Sequence, residues 1–333
     1  MQQGWLPVDL NEEARRVIDD LSTSVWAFAT VSAALEAGLL DRLAQPQPLG
    51  AISAHSGLDP SLVGPMLDVL VAVGLARRDG DVFVGAPGLL PLLAPNAKEV
   101  LLAEVRSTDL QSRRLVEDAK HGASAPGWQH TGPELLQAQG RSGKGAIPAM
   151  VAGIRMSPEL EERLHRPTAS FLDVGVGVGA VAIELCRYYP ALRVVGLEPA
   201  APLAQARHNV EAANLGARIE LRQQGVEDLG DSEAFDLAYV AQVFIPDRAF
   251  EPGLRRVWRA LRPGGWLTLP VISAPGTDLE AALSRLRNTL WGGGARLAEQ
   301  VAETLRGVGF TGVQVFPAAQ GSTLRAVVAQ RPA

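Results

Sequence analysis

The sequence predicts an α/β protein: a doubly wound, largely parallel sheet preceded by a mostly α-helical winged-helix domain. Three observations predict it. From Thr168 onward, apolar strand-like runs alternate with helical segments. The first of these strands runs directly into a glycine-rich turn and a helix. Before residue 96 the pattern is helical, with short turns and one hairpin.

The elements follow in order. Leu21, Val25, Phe28, Ala29, Ser32 and Leu35 recur at helical spacing. Pro46-Gln47-Pro48 reads as a turn, Leu49 to Ser56 as the next segment, and Gly57 as a break. Asp59 is a good N-cap and Pro60 a good first helical residue for a helix carrying Leu62, Met66, Leu67, Leu70 and Val73 on one face. That helix stops at Gly74, and Ala76 to Val84 reads as a hairpin around Asp79-Gly80. Three helical segments and a hairpin make a winged helix. Residues 96–166 mix helices with a loop rich in glycine and proline, His121–Gly132, and another around Gly140–Gly145. Strands are expected at Ser170–Val174, Arg193–Leu197, Ile219–Gln223, Phe235–Ala241 and Trp266–Ile272. Val313–Phe316 and Leu324–Ala329 close the chain as a hairpin turning near Gln320-Gly321. The expected divisions are a winged-helix domain at 1–100, a helical linker and pocket-lining segment at 101–166, and the sheet domain at 167–333.

Composition narrows the function. A chain of 333 residues, 47% hydrophobic and 20% charged, has ordinary globular composition and room for two cores. Cys186 is the single cysteine, which excludes an internal disulfide and a cysteine-built metal centre. The five histidines (His55, His121, His130, His165 and His208) have no metal-ligand spacing, so no metal is expected. Asp9, Glu12 and Glu13 precede any apolar run, unlike a secretory leader. Leu21 to Leu35 is too short and too polar to span a bilayer. A cytoplasmic protein without a membrane partner is expected.

The chemistry concentrates in Phe171-Leu-Asp-Val-Gly175-Val-Gly177-Val-Gly179-Ala. Glycines at Gly175, Gly177 and Gly179 let backbone N–H groups approach a ligand at a helix N-terminus. Gly175-x-Gly177-x-x-Ala180 also fits a dinucleotide loop, and a purely structural turn is the plain alternative. Asp173 separates these readings. A carboxylate two residues before the first glycine repels a pyrophosphate but can hold an ammonium. S-adenosyl-L-methionine has an amino group and no phosphate. Glu198, at the end of the next strand, is placed to accept both ribose hydroxyls, as it would be for either nucleotide.

With Leu261-Arg-Pro-Gly-Gly-Trp266-Leu before the fifth strand and the terminal hairpin, residues 168–333 resemble class I S-adenosylmethionine-dependent methyltransferases. Ala34-Leu-Glu-Ala-Gly38-Leu-Leu-Asp-Arg-Leu43 and Leu67-Asp-Val-Leu-Val-Ala-Val-Gly74-Leu extend the resemblance. The whole chain looks like the two-domain small-molecule O-methyltransferases of the caffeate and hydroxyindole type. The resemblance implies a seven-stranded Rossmann-like sheet with its last strand inserted antiparallel beside the fifth. It implies S-adenosyl-L-methionine as cofactor and S-adenosyl-L-homocysteine as product. It also implies a homodimer formed through the N-terminal domain and a small-molecule substrate from secondary metabolism.

Two positions depart from that family. Its adenine-binding acid falls on Gly225 or Val226 in Gln224-Gly225-Val226-Glu227-Asp228-Leu229, leaving Glu227, a backbone group or nothing in its place. Its histidine base falls on Phe244 or Ile245 in Val240-Ala-Gln242-Val-Phe244-Ile245-Pro-Asp247, and neither side chain takes a proton. A phenol near pKa 10 benefits from a base, whereas an amine, an enol-like carbon or an acidic hydroxyl needs one less. The chain is therefore expected to methylate N, C or an acidic O. Non-methyl chemistry on the same cofactor, such as cyclisation to methylthioadenosine, is the alternative. Gln242, Tyr239 and His130 are the candidate catalytic residues. Gln242 and Tyr239 belong to the fourth strand's end, and His130 to the loop Gly127-Trp-Gln-His130-Thr. Gln242 is also a cofactor-contact candidate. Trp128, Arg287, Asn288 and Trp291 are the candidate substrate contacts.

A winged helix can also read DNA, and a DNA-binding regulator is the rival class. Residues 10–95 hold five arginines, no lysine and ten acids, a net charge of −5 that equals the whole-chain balance. The would-be recognition helix, Ser61 to Val73, has Asp68 and no basic residue. Phosphate neutralisation needs the opposite balance, so no nucleic-acid partner is expected.

Overall fold

A computed structural model describes residues 8–122, 127–128, 130–199, 202–272, 276, 278–318 and 324–333. They fall into two compact units, Met1–Arg106 and Ser107–Ala333. The expected hairpin turn at Gln320-Gly321 lies outside the described residues.

The N-terminal unit contains α1 (Val8–Glu36), α2 (Leu39–Arg42), β1 (Gln47–Pro48), α3 (Leu49–Ser56), α4 (Pro60–Ala72), β2 (Ala76–Asp79) and β3 (Val82–Gly85). A 3-10 turn at Leu90–Leu93 leads into α5 (Pro95–Lys120), within which the two units divide. Asp59 caps α4 by accepting the Ser61 N–H at 2.8 Å, with Pro60 in the first turn. The core joins Leu35, Leu39, Leu43, Ile52, Leu67 and Leu70 to Phe83 of the hairpin. Pro46-Gln47-Pro48 forms more than a turn. Gln47 and Pro48 add a third antiparallel strand, giving the order β1-β3-β2. A proline is tolerated there because β1 is an edge strand. Arg78, one of two basic residues on the hairpin, pairs with Asp68 of α4 at 2.9 Å and lies over the Phe83 ring.

The C-terminal unit begins with the remainder of α5, then α6 (Pro133–Ser142), α7 (Ile147–Arg155) and α8 (Pro158–His165). The sheet and its helices follow: β4 (Ser170–Val174), α9 (Ala180–Tyr188), β5 (Arg193–Leu197), α10 (Pro202–Ala212), β6 (Ile219–Arg222) and β7 (Phe235–Val240). Then come α11 (Asp247–Ala260), β8 (Leu261–Val271), α12 (Leu279–Trp291), α13 (Ala298–Val308), β9 (Thr311–Phe316) and β10 (Arg325–Gln330). The seven strands lie in the order β6-β5-β4-β7-β8-β10-β9, with β10 antiparallel to both neighbours. The fold is the mixed α/β, seven-stranded architecture that the sequence predicts.

β4 is an interior strand between β5 and β7, and its side chains alternate between the two cores. Leu172 and Val174 join one cluster, with helices α11 and α13; Phe171 joins the other, with α7, α8 and α9. β8 starts earlier than expected, at Leu261 rather than Trp266. The Arg262-Pro-Gly-Gly segment is carried as an irregularity in the pairing with β7, where Phe235 faces Leu261 but Leu237 faces Trp266. Gly264 takes φ +73° there, a conformation that suits glycine.

Candidate cofactor and acceptor site

Ligands of an open α/β sheet bind at the carboxy ends of its strands. Gly175, Gly177 and Gly179 follow β4 with φ of +77°, +54° and +83°, so the turn requires a left-handed backbone at each. A Cβ on Gly175 would also be a tight fit, 3.3 Å from that of Ala241. The Gly175 and Val176 N–H groups both donate to the Leu197 carbonyl at 3.0 Å, which ties the turn to the end of β5. Glu198, one residue further, accepts the Gly177 N–H at 3.2 Å. The Asn209 amide donates to the Val178 carbonyl at 2.8 Å and bonds Gln137 of α6. α6 packs against the same turn through Leu136, and Gly140 lies so close to Val178 that a Cβ would come within 2.1 Å.

Asp173 is 1% exposed, and neither of its oxygens has a hydrogen-bond partner among the described residues. Burial pushes its pKa up to about 7; the nearby Ala182 N–H opposes the rise without reaching hydrogen-bonding geometry, and the Glu198 charge adds to it. An orphaned acceptor beside a glycine cradle fits a ligand that brings its own cation. Tyr239 sits opposite Asp173 in the β4–β7 register. Burial and the Asp173 charge push its phenol well above the usual value, so it stays protonated. Glu227 lies in the 3-10 turn after β6, with its carboxylate folded back over Gly225; a Cβ on Gly225 would meet it at 2.5 Å.

Gln242 follows β7 and is fully buried. Arg296 donates to its Oε1 at 3.2 Å, while Nε2 has no partner among the described residues. Phe244 and Ile245, at the position of the resembled family's base, diverge. Ile245 enters the sheet core, whereas Phe244 joins an aromatic cluster. Trp128 meets Phe244 edge-on at 5.1 Å and His130 at 4.6 Å, and Trp291 lies 5.7 Å from Phe244. Burial first, then the Arg114 charge, holds the His130 pKa below its usual value, although Asp118 opposes this. His130 is therefore neutral at pH 7. The Trp291 indole N–H donates to Gln111 at 2.6 Å, and Gln111 donates to Ser107 and Gln139 at 2.7 Å.

The structure thus gathers Asp173, the three glycines, Glu198, Tyr239 and Gln242 around adjoining strand ends. It joins Trp128, His130 and Trp291 through Phe244. Arg287 and Asn288 do not join this cluster. Arg287 lies on the exposed face of α12, and its Nε donates to the Leu283 carbonyl at 3.4 Å. Asn288 is buried, with its amide bonded to the Ser284 carbonyl of the same helix at 2.8 Å. Successive helical positions are turned about 100° from each other, so Asn288 faces inward while Arg287 is exposed. Sequence reasoning missed Arg296 and Phe244 as site residues. The Gly292-Gly293-Gly294 run just before Arg296 was the available signal.

Residues 171–265 match the family model described as a methyltransferase domain. N,N-dimethyltransferase OxyT of Streptomyces rimosus is 27% identical over 299 residues, covering 84% of each chain. Trans-aconitate 2-methyltransferase of Deinococcus radiodurans is 34% identical over 109 residues, 32% of this chain; the match spans only 39% of that relative's length. Among solved structures, human N-acetylserotonin methyltransferase in complex with S-adenosylmethionine aligns with a TM-score of 0.64 at 18% identity, over all of both chains. The C-terminal unit carries a methyltransferase domain, and the chain shares the fold of the small-molecule O-methyltransferases.

Proposed function

We propose that this methyltransferase-domain protein binds S-adenosyl-L-methionine at the β4 glycine turn and transfers its methyl group to N, C or an acidic O of a small molecule. The observation that carries the reading is Asp173, a buried carboxylate with no hydrogen-bond partner among the described residues, directly before a turn of three left-handed glycines. Asp173 would take the cofactor's ammonium and Glu198 its ribose hydroxyls, with Glu227 at the far strand end to cover the adenine. When bound, the cofactor supplies a methyl group on a positively charged sulfur, already activated for in-line displacement. The chain's part is then alignment and exclusion of water. The Trp128–Phe244–Trp291 cluster offers flat apolar faces for an acceptor. Neutral His130, held on that cluster through Trp128, takes the proton where the acceptor has one to lose.

Calorimetric titration with S-adenosyl-L-methionine tests the binding step. One site per chain is expected, weakened about tenfold or more in Glu198→Ala, the order expected when a charged hydrogen-bond partner is lost. Unchanged affinity in Glu198→Ala and Asp173→Ala would remove the assignment.

The reading includes a homodimer in a cytoplasmic setting. Val17, Ile18, Leu21, Val25 and Trp26 of α1 are all more than half exposed, an apolar stripe on one long helix. A second copy of the chain is the proposed cover of this stripe. Leu21→Glu with Val25→Glu is expected to turn a dimer into a monomer in analytical ultracentrifugation. A monomeric unmutated protein would contradict the reading.

A further inference from the structure

Trp291 is the last residue of α12, which stops against Gly292 at φ +94°. Helix ends fray, so the helix alone does not fix this ring. Trp291 is nonetheless only 6% exposed, and its ring lies 5.7 Å from Phe244 in the aromatic cluster. A tertiary hydrogen bond holds it there: the indole N–H donates to Gln111 Oε1 of α5 at 2.6 Å.

The Gln111 amide has one workable orientation. An indole N–H is a donor only, so Gln111 must offer it the carbonyl oxygen. Its Nε2 then donates to Ser107 Oγ and to Gln139 Oε1, each at 2.7 Å. Ser107, which is buried, donates to the same Gln139 oxygen at 2.8 Å. Turning the amide over would set donor against donor at Trp291 and acceptor against acceptor at Gln139. Mismatched polar groups are costly where water is excluded, so the network fixes the amide and the amide fixes the ring.

Two further observations place this network. Gln139 belongs to α6, whose Leu136 packs against Val178 of the glycine turn and Ala180 just after it. On α5, Ser107, Gln111, Arg114 and Asp118 recur at helical spacing and form one stripe. Arg114 and Asp118 pair at 2.8 Å, and both charges act on His130. The stripe therefore reaches the aromatic cluster twice, at Trp291 through a hydrogen bond and at His130 through its charges.

We propose that Gln111 is a positioning residue for the acceptor: through Trp291 it registers the aromatic cluster against the cofactor turn. In-line displacement needs the acceptor atom and the methyl carbon on one axis, and a displaced Trp291 ring spoils that alignment. Gln111 acts on the acceptor only through this ring. The proposal rests on the reading of the cluster as the acceptor site.

The test uses fluorine NMR on the full chain, labelled with 5-fluorotryptophan and saturated with S-adenosyl-L-homocysteine. The probes are 2-naphthol and 2-naphthylamine, flat molecules carrying a hydroxyl and an amine. Loss of a resonance in Trp291→Phe and in Trp128→Phe assigns the two rings of interest. In the unmutated protein both resonances are expected to move as a probe is added. Gln111→Leu is close in size but gives the indole N–H no acceptor. It is expected to shift the Trp291 resonance before any probe is added and to weaken probe binding about tenfold, the scale of one lost hydrogen bond. Its S-adenosyl-L-homocysteine affinity is expected to stay within about threefold, which also reports an intact fold. Gln111→Glu keeps an oxygen for the indole and lets Ser107 and Gln139 donate instead, so it is expected to restore most of the probe affinity. If Gln111→Leu leaves probe affinity unchanged, or weakens probe and S-adenosyl-L-homocysteine alike, the positioning role is overturned while the acceptor reading stands. If the probes move neither resonance in the unmutated protein, the acceptor reading of the cluster fails and the positioning role with it.

Discussion

Asp173→Asn is expected to stabilise the free protein at pH 8 and to weaken its cofactor binding. Burial raises the Asp173 pKa from 3.8 to about 7, so between those values the folded chain binds a proton that the unfolded chain has released. Stability then falls as pH rises across that window, because the unfolded state binds fewer protons than the native one. The contribution is fully present below pH 3.8 and lost once pH has passed through about 7. At about 1.4 kcal/mol per unit the total is about 4 kcal/mol, an upper figure for a single buried group. Asparagine has no such dependence, although its buried amide costs about 1–3 kcal/mol at every pH. The variant should therefore melt at or below the unmutated protein near pH 5 and above it at pH 8. Cofactor affinity of the unmutated protein should rise through pH 7 as Asp173 ionises, and that of the variant should be weak and flat. Denaturation curves at the two pH values check the first part and calorimetry the second. A pH-independent gap between the two proteins would contradict the buried-carboxylate account.

Gly293→Ala is the second large effect. A Cβ at Gly293 would fall 2.3 Å from the Val243 carbonyl oxygen and 2.5 Å from the Val243 Cα. These are backbone atoms, so no rotamer change relieves the clash. The neighbours are close too: a Cβ on Gly292, at φ +94°, would lie 2.8 Å from the Gly127 Cα, and one on Gly294 would lie 3.0 Å from the Asp247 carboxylate. The run therefore brings the end of α12 against the segment carrying Gln242 and Phe244, and against the loop carrying Trp128. Overpacking of this kind costs about 1–3 kcal/mol and sometimes more. The alanine variant is expected to lose that much stability in urea and about tenfold in S-adenosyl-L-homocysteine affinity, since moving Val243 moves Gln242. Gly216, where a Cβ meets nothing within 4 Å, is the control; its alanine variant should change neither. Equal behaviour of the two variants would contradict the packing argument.

The fold was largely legible because its signals are local. The strand–helix alternation, the Asp59-Pro60 start and the glycine turn each act within a few residues, and the strands at Ser170–Val174 and Arg193–Leu197 match to the residue. The early start of β8 was not legible, because pairing with β7 overrides the Pro-Gly-Gly turn signal. The strand-end placement of Asp173 and Glu198 was legible for a positional reason: in a doubly wound sheet, a residue at the carboxy end of a strand lies at the sheet's ligand-binding edge. Arg296 was hidden, since its link to Gln242 spans 54 residues and is made by tertiary packing alone. His130 was ambiguous from its loop context, and only the stacking through Trp128 ties it to Phe244. Arg287 and Asn288 show the opposite problem. A helix near the site has several polar residues, and one position of rotation decides which of them turns inward.

The most direct test of the account is the sulfur product. Pure protein is incubated with S-adenosyl-L-methionine and a panel of amine, acidic-hydroxyl and enol-like acceptors, and the nucleoside products are identified by mass spectrometry. The account predicts S-adenosyl-L-homocysteine, formed in step with a 14-dalton gain on an acceptor, the mass of one added CH2 unit. Methylthioadenosine formed without any acceptor would contradict it, since that product requires attack on the cofactor's own amino acid chain.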